Sequence, residues 1–274
     1  MKIALSEIST PAASFGEDVA AYAAAGFDGI GIWEFKLPGD DAASARLIRE
    51  SGLGAAYCVP AIPSFLQLAV PGMEGPADPA ERVAALCASM GRLARFEPAC
   101  VICLTGPIGD RSAAEARALV IEGLQQVAAA ARAAGVWLGL EPTHLSESDE
   151  TSFLSSIGGT IALLDEAGLN DVGVMVDSVH VWDTPGLEED IAKHAGRITG
   201  LHVADKLAPG APGRVLPGEG VTHPERLVGL LRGAGFDGYL DIEIFSTPEE
   251  FWGLPVEEAA GRAAAAARCL IAQS

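Results

Sequence analysis

Four ionisable residues of this 274-residue chain stand at the ends of apolar runs, where charge is costly to place. Glu141 closes GLGLE, Asp177 closes VGVMVD, His202 comes late in TGLH and Glu243 comes late in YLDIE. A charged group inside an apolar strand is strongly disfavoured unless it is paired or bound to a metal. Three carboxylates and one imidazole converging on a point would repel one another, and a divalent cation is the simplest remedy. The mixed oxygen and nitrogen set suits Mn²⁺, Mg²⁺, Co²⁺ or Zn²⁺ without choosing among them. Any one of the four is explained as well by an isolated polar group with a satisfied hydrogen bond. Their recurrence at four successive strand ends is what points to a single metal site.

Other residues are candidates for holding a substrate. His180 comes three residues after Asp177 in DSVHVW, where it either touches substrate or caps the next segment; substrate contact is the favoured reading. His144, three residues beyond Glu141, is a weaker substrate candidate. Arg214, in GRVLPGEG, could clamp a substrate hydroxyl or carboxylate, although loop arginines are often merely exposed. Glu7 and Glu34 end the first two apolar runs, and structural roles suit them at least as well as catalytic ones. His194 and His223 read as surface residues. No GxSxG, P-loop or HExxH motif is present.

The elements that must position these groups alternate along the whole chain. Strand candidates are 2–8, 28–35, 54–62, 99–106, 137–143, 172–181, 198–205 and 239–245. Between them lie Ala/Leu/Arg/Glu-rich helical stretches such as 79–96, 112–134, 152–168, 223–234 and 255–272, with Ser14, Asp110 and Thr151 in cap-like positions. Nearly continuous apolar strands indicate a parallel sheet buried on both faces. Eight strand–helix repeats without a break in composition predict one (β/α)8 TIM barrel spanning 1–274. An open doubly wound sheet would carry a Gly-rich turn after its first strand, and SEISTPAAS is not one. The Pro/Gly-rich stretches 63–78 and 206–222 follow strands and should overhang the catalytic end of the barrel.

Composition narrows the partners. With 18 Lys plus Arg against 37 Asp plus Glu, the net charge of −19 opposes nucleic-acid binding and leaves a small polar molecule such as a sugar as the expected partner. Five irregularly spaced cysteines argue against a disulfide framework and for a reducing cytoplasm. Cys100 and Cys103 have CxxC spacing, but in a strand they face opposite sides and should be buried core thiols. No secretory signal or membrane span is expected, and apolar helix faces leave room for a homodimer.

At these same residues the chain resembles the xylose isomerase-like TIM-barrel superfamily of sugar isomerases and epimerases. The resemblance rests on LEPTH, VDSVHVW, GLHVAD, RVLPGEG and DIEIFSTPEEFWGLPVEEA. The last two, with the opening LSEIST, are similar to the inosose (2-keto-myo-inositol) isomerases. It implies that Glu141, Asp177, His202 and Glu243 bind one divalent metal, that Glu141 and Glu243 double as acid and base, and that His180 and Arg214 touch a sugar or cyclitol. The expected reaction is proton transfer beside a carbonyl through an enediolate, with the metal as Lewis acid. Two departures bear on the substrate: the loop VADKLAPGAPG looks short, and PTHLSESDE lacks the Asn-Arg often found in ketose epimerases. A lyase or dehydratase using the same site is the chief alternative. An abasic-site endonuclease would need more histidine ligands than five histidines readily supply, and a non-catalytic barrel would not need an intact ligand set.

Overall fold

The computed structural model describes residues 1–274. The apolar runs form eight parallel strands: β1 (Lys2–Ser6), β2 (Gly29–Trp33), β3 (Gly54–Val59), β4 (Cys100–Cys103), β5 (Leu138–Leu140), β6 (Gly173–Asp177), β7 (Ile198–Val203) and β8 (Tyr239–Ile242). They pair in sequence order, and β8 closes on β1 with Ile3 beside Leu240 and Leu5 beside Ile242. The result is a (β/α)8 barrel without a free edge. Around it run α1 (Phe15–Ala25), α2 (Asp41–Ser51), α3 (Pro79–Leu93), α4 (Ala113–Ala134), α5 (Ile157–Glu166), α6 (Ser178–Val181), α7 (Leu187–His194), α8 (Pro224–Gly233) and α9 (Val256–Gln273). No helix is long and apolar enough to cross a membrane.

Several boundaries differ from expectation for local reasons. The run 172–181 is not all strand: Asp177 Oδ1 accepts the Val179 N–H at 2.9 Å, which caps α6 and ends β6. Ser14 caps α1 as expected, in a reciprocal capping box with Glu17. The cap of α4 is Ser112, again boxed with Glu115, and not Asp110. The cap of α5 is Ser156, because Thr151 bonds instead to Thr143 Oγ1 at 2.8 Å and the chain before Ser156 stays irregular.

Strand alternation sorts the apolar side chains into two cores. One cluster of 64 buried residues fills the space between strands and helices. A second, of nine, plugs the barrel interior and includes Tyr57, Cys100, Ile102 and Met175. Burying a Leu or Ile side chain contributes roughly 1.5–3 kcal/mol, so the helices are held mainly by their inner faces. Cys103 belongs to the outer cluster and Cys100 to the inner one, so the CxxC pair is split as predicted; both thiols are free.

Two anchors hold the mouth in shape. Arg82 of α3 is fully buried and donates to Ser64 O (2.8 Å), Glu74 O (2.7 Å), Pro76 O (2.8 Å) and Ser64 Oγ (2.5 Å), fastening the stretch 63–78. Asp205 accepts from the backbone N–H of Gly218, Gly220 and Thr222 and from the Thr222 hydroxyl, fastening the stretch 206–222. Glu7 and Glu34 are also structural. Glu7 accepts the Trp33 N–H at 2.9 Å, and Glu34 accepts from Ala61 N, Ser89 Oγ and Arg92.

Candidate metal centre and active site

The candidate ligands sit where strands deliver their last side chains. Asp177 and His202 are direct register partners across β6 and β7. Glu141 and Glu243 lie just beyond β5 and β8, each tied to the neighbouring strand by its backbone: Glu141 N–H to Cys103 O at 2.9 Å, Glu243 N–H to Val203 O at 3.1 Å. All four are buried. One donor atom each from Glu141, Asp177 and His202 lies within 4.8 Å of the others. Glu141 Oε1, Asp177 Oδ2 and His202 Nδ1 are also buried atoms without a hydrogen-bond partner. Native interiors rarely leave such atoms unpaired, and three together make a donor set of the kind a divalent ion takes.

Glu243 stands slightly apart from the other three. Its Oε2 is 3.3 Å from His202 Nδ1 but also accepts from Arg214 Nη1 at 2.6 Å. Arg214 Nη1 lies 2.8 Å from Asp177 Oδ2 as well, and Nη2 lies 3.3 Å from His180 Nε2. The guanidinium rests over the Phe245 ring, 4.8 Å from its centroid. Arg214 is therefore built into the site rather than exposed in a loop. His180 is buried too, and its Nδ1 accepts the His144 N–H at 3.2 Å.

His144 joins the site only through that backbone N–H. Its ring turns away from the cavity, with Nδ1 on Ser146 and Nε2 3.1 Å from Asp183, because it caps the turn at Leu145. His223 is exposed, as its sequence context suggested, and His194 is partly so.

The electrostatics follow from burial and mutual repulsion. Burial works against a charged His202, yet Glu243, Glu141 and Asp241 outweigh it and raise its pKa to about 10. Burial also opposes the charge on Asp177, but Arg214, His180 and His202 hold its carboxyl below the usual range. Glu243 is raised, by burial first, against the pull of His202 and Arg214. Asp241 is raised to about 8, chiefly by burial. Without a metal, Arg214 and a protonated His202 are the cations that face this group of carboxylates.

Above the ligands opens a cavity of about 370 Å³, a size suited to a small molecule. Trp33, Val59, Leu68, Val70, Met73, Ile102, Leu104 and Phe245 form an apolar wall. Glu141, Thr143, Glu147, His180, His202, Lys206, Arg214 and Glu243 form the polar side. Sequence reasoning missed Glu147, Lys206 and Asp241. Lys206 Nζ reaches Glu147 Oε1 at 3.3 Å, and Glu147 Oε2 lies 3.7 Å from His180 Nδ1. Asp241 was legible in principle, since it shares the inward face of its run with Glu243 two residues on.

The chain belongs to the xylose isomerase-like TIM barrel family, whose description matches residues 19–272. Among curated proteins, none matches this sequence. Among solved structures, a protein from Sinorhizobium meliloti 1021 is similar at 24% identity and TM-score 0.87, covering 98% of each chain. The IolI protein with a bound zinc atom is similar at 17% identity and TM-score 0.81, over 100% of this chain and 99% of that one. D-psicose 3-epimerase, crystallised in the presence of D-fructose, is similar at 19% identity and TM-score 0.78, covering 98% of each chain.

Proposed function

We propose that this protein is a divalent-metal-dependent isomerase or epimerase of a sugar or keto-cyclitol. The observation that carries the reading is the convergence of three buried donor atoms of Glu141, Asp177 and His202, none of them hydrogen-bonded and only Asp177 Oδ2 ion-paired, with Arg214. Glu243 completes the set from β8, and these four residues would hold the ion. When bound, a divalent metal polarises a carbonyl and makes the neighbouring C–H acidic enough for a carboxylate to act on. Zinc in the IolI protein and the presence of two sugar 3-epimerases among the similar structures support the class of chemistry.

The protein's own residues then divide the work. Glu141, from the end of β5, and Glu243, from the end of β8, reach toward the same His202 Nδ1, at 3.7 and 3.3 Å. One removes the carbon-bound proton, and the other returns a proton from another side or to the adjacent carbon. Arg214 holds Glu243 in place and, with His180, offers donors to the substrate oxygen that gains charge. The apolar wall excludes water from the C–H being broken.

Elemental mass spectrometry before and after chelation and reloading, followed by exchange in D₂O with keto-inositols and ketoses, tests this. About one metal per chain is expected, together with deuterium appearing beside the carbonyl. A chain that takes up no metal on reloading would overturn the reading.

A further inference from the structure

We propose that Asp241 is a positioning residue for His202, facing the Nε2–H as its acceptor so that the proton stays on Nε2 and Nδ1 is left bare toward the metal. The inference rests on the metal site proposed above and deepens it. Asp241 is the register partner of His202 across β7 and β8, so both side chains point into the barrel at the same level. Its carboxylate is fully buried, and neither oxygen has a hydrogen-bond partner. Within 4.0 Å of it the one basic side chain is His202, whose Nε2 lies 3.7 Å from Oδ2.

The barrel makes room for this carboxylate at a specific place. A Cβ on Gly31 of β2 would collide with Asp241 Oδ2 and stand 3.0 Å from its Cγ. Gly31 has an ordinary φ, so the glycine serves space and not backbone conformation. The His202 ring stands edge-on to Tyr57 with centroids 5.7 Å apart. Nδ1 looks up toward Glu141 and Glu243, and Nε2 looks down toward Asp241.

A neutral histidine carries one N–H, and coordination through Nδ1 requires that proton on Nε2. Inside an apolar barrel an Nε2–H needs an acceptor, and Asp241 is the acceptor it faces. A carboxylate behind a ligating imidazole fixes tautomer and ring orientation and strengthens the donor nitrogen. A residue that merely filled space would not need two unpaired oxygens in this position.

Two measurements on the full chain decide the matter. Zinc affinity by competition with a chelating dye should fall roughly 10- to 100-fold in Asp241→Ala, the usual scale for losing such a partner. Asp241→Asn, which keeps one acceptor oxygen, should recover part of that loss. In zinc-loaded wild type, ¹⁵N-histidine NMR should show the His202 proton on Nε2, the signal being assigned with His202→Asn. This second readout needs no Asp241 variant to fold. A proton on Nδ1, or wild-type zinc affinity in both Asp241 variants, would overturn the inference while leaving the metal site standing. A wild type that takes no zinc would overturn both.

Discussion

The two sides of the barrel mouth are made of different material. From β5 to β8 the strands end in Glu141, Asp177, His202 and Glu243, backed by Arg214, His180, Lys206 and Glu147. From β2 to β4 the same ends carry Trp33, Val59, Ile102 and Leu104, and the following stretch adds Leu68, Val70 and Met73. Acidic groups exist on that side as well, but Glu7 and Glu34 are tied to backbone amides and neighbouring side chains and take no part in the cavity. The contrast teaches that burial of a carboxylate is not what marks a working group. What sets the polar side apart is convergence: Glu141, Asp177 and His202 bring donor atoms within 4.8 Å of one another, whereas Glu7, which also keeps a buried Oε1 unpaired, belongs to no such group.

The largest effect that tests this division comes from the polar side. Glu141→Gln and Glu243→Gln should each lower kcat by about 10²–10⁴-fold, the scale of a lost acid or base, in steady-state assays of the substrate found by D₂O exchange. Full activity in either would remove that residue from the chemistry. Next comes the metal itself. A chain saturated at 100 times the Kd should be about 2.7 kcal/mol more stable than the chelated one in denaturant titrations, and Asp177→Ala should abolish the difference.

Smaller effects belong to the apolar side. Met73→Ser and Ile102→Ser should raise KM by roughly 10-fold each, in keeping with about 1–3 kcal/mol for a pocket contact, with kcat nearly unchanged. If they cut kcat as deeply as the glutamine variants, the two sides do not divide the labour as described. The last effect is on stability and leaves the cavity untouched. Burial raises Glu7 from 4.5 to about 8, so the folded state holds this proton more tightly than the unfolded one. Its contribution is full below pH 4.5 and is lost as pH rises through about 8. Glu7→Gln, which cannot lose a proton, should therefore flatten the decline in urea midpoint between pH 5 and 8.5 without altering activity.

Much of this was legible in the chain itself. Continuous apolar strands gave away the parallel barrel, and the four ligand candidates stood out because a charge at the end of such a strand needs a reason. Element ends were less legible, because they depend on competition among nearby polar groups. Asp177 stops its own strand by capping α6, and Ser112 outcompetes Asp110 for the start of α4. Lys206 and Glu147 were hidden for another reason: each lies in an irregular stretch whose path no periodicity predicts. His144 shows the converse, since its spacing from Glu141 resembled that of His180 from Asp177 while a local turn took its ring elsewhere.

The buried Arg82 gives the apolar wall an unusual kind of independence. Because α3 grips the backbone carbonyls of Ser64, Glu74 and Pro76, the segment between them is fixed at its ends whatever side chains it displays. Leu68, Val70 and Met73 are thus displayed from a segment held by its own backbone, with Met73 also packed against the inner core of the barrel. A lineage could retune what the cavity accepts by rewriting one short segment, while the buried acids and His202 across the mouth are inherited untouched.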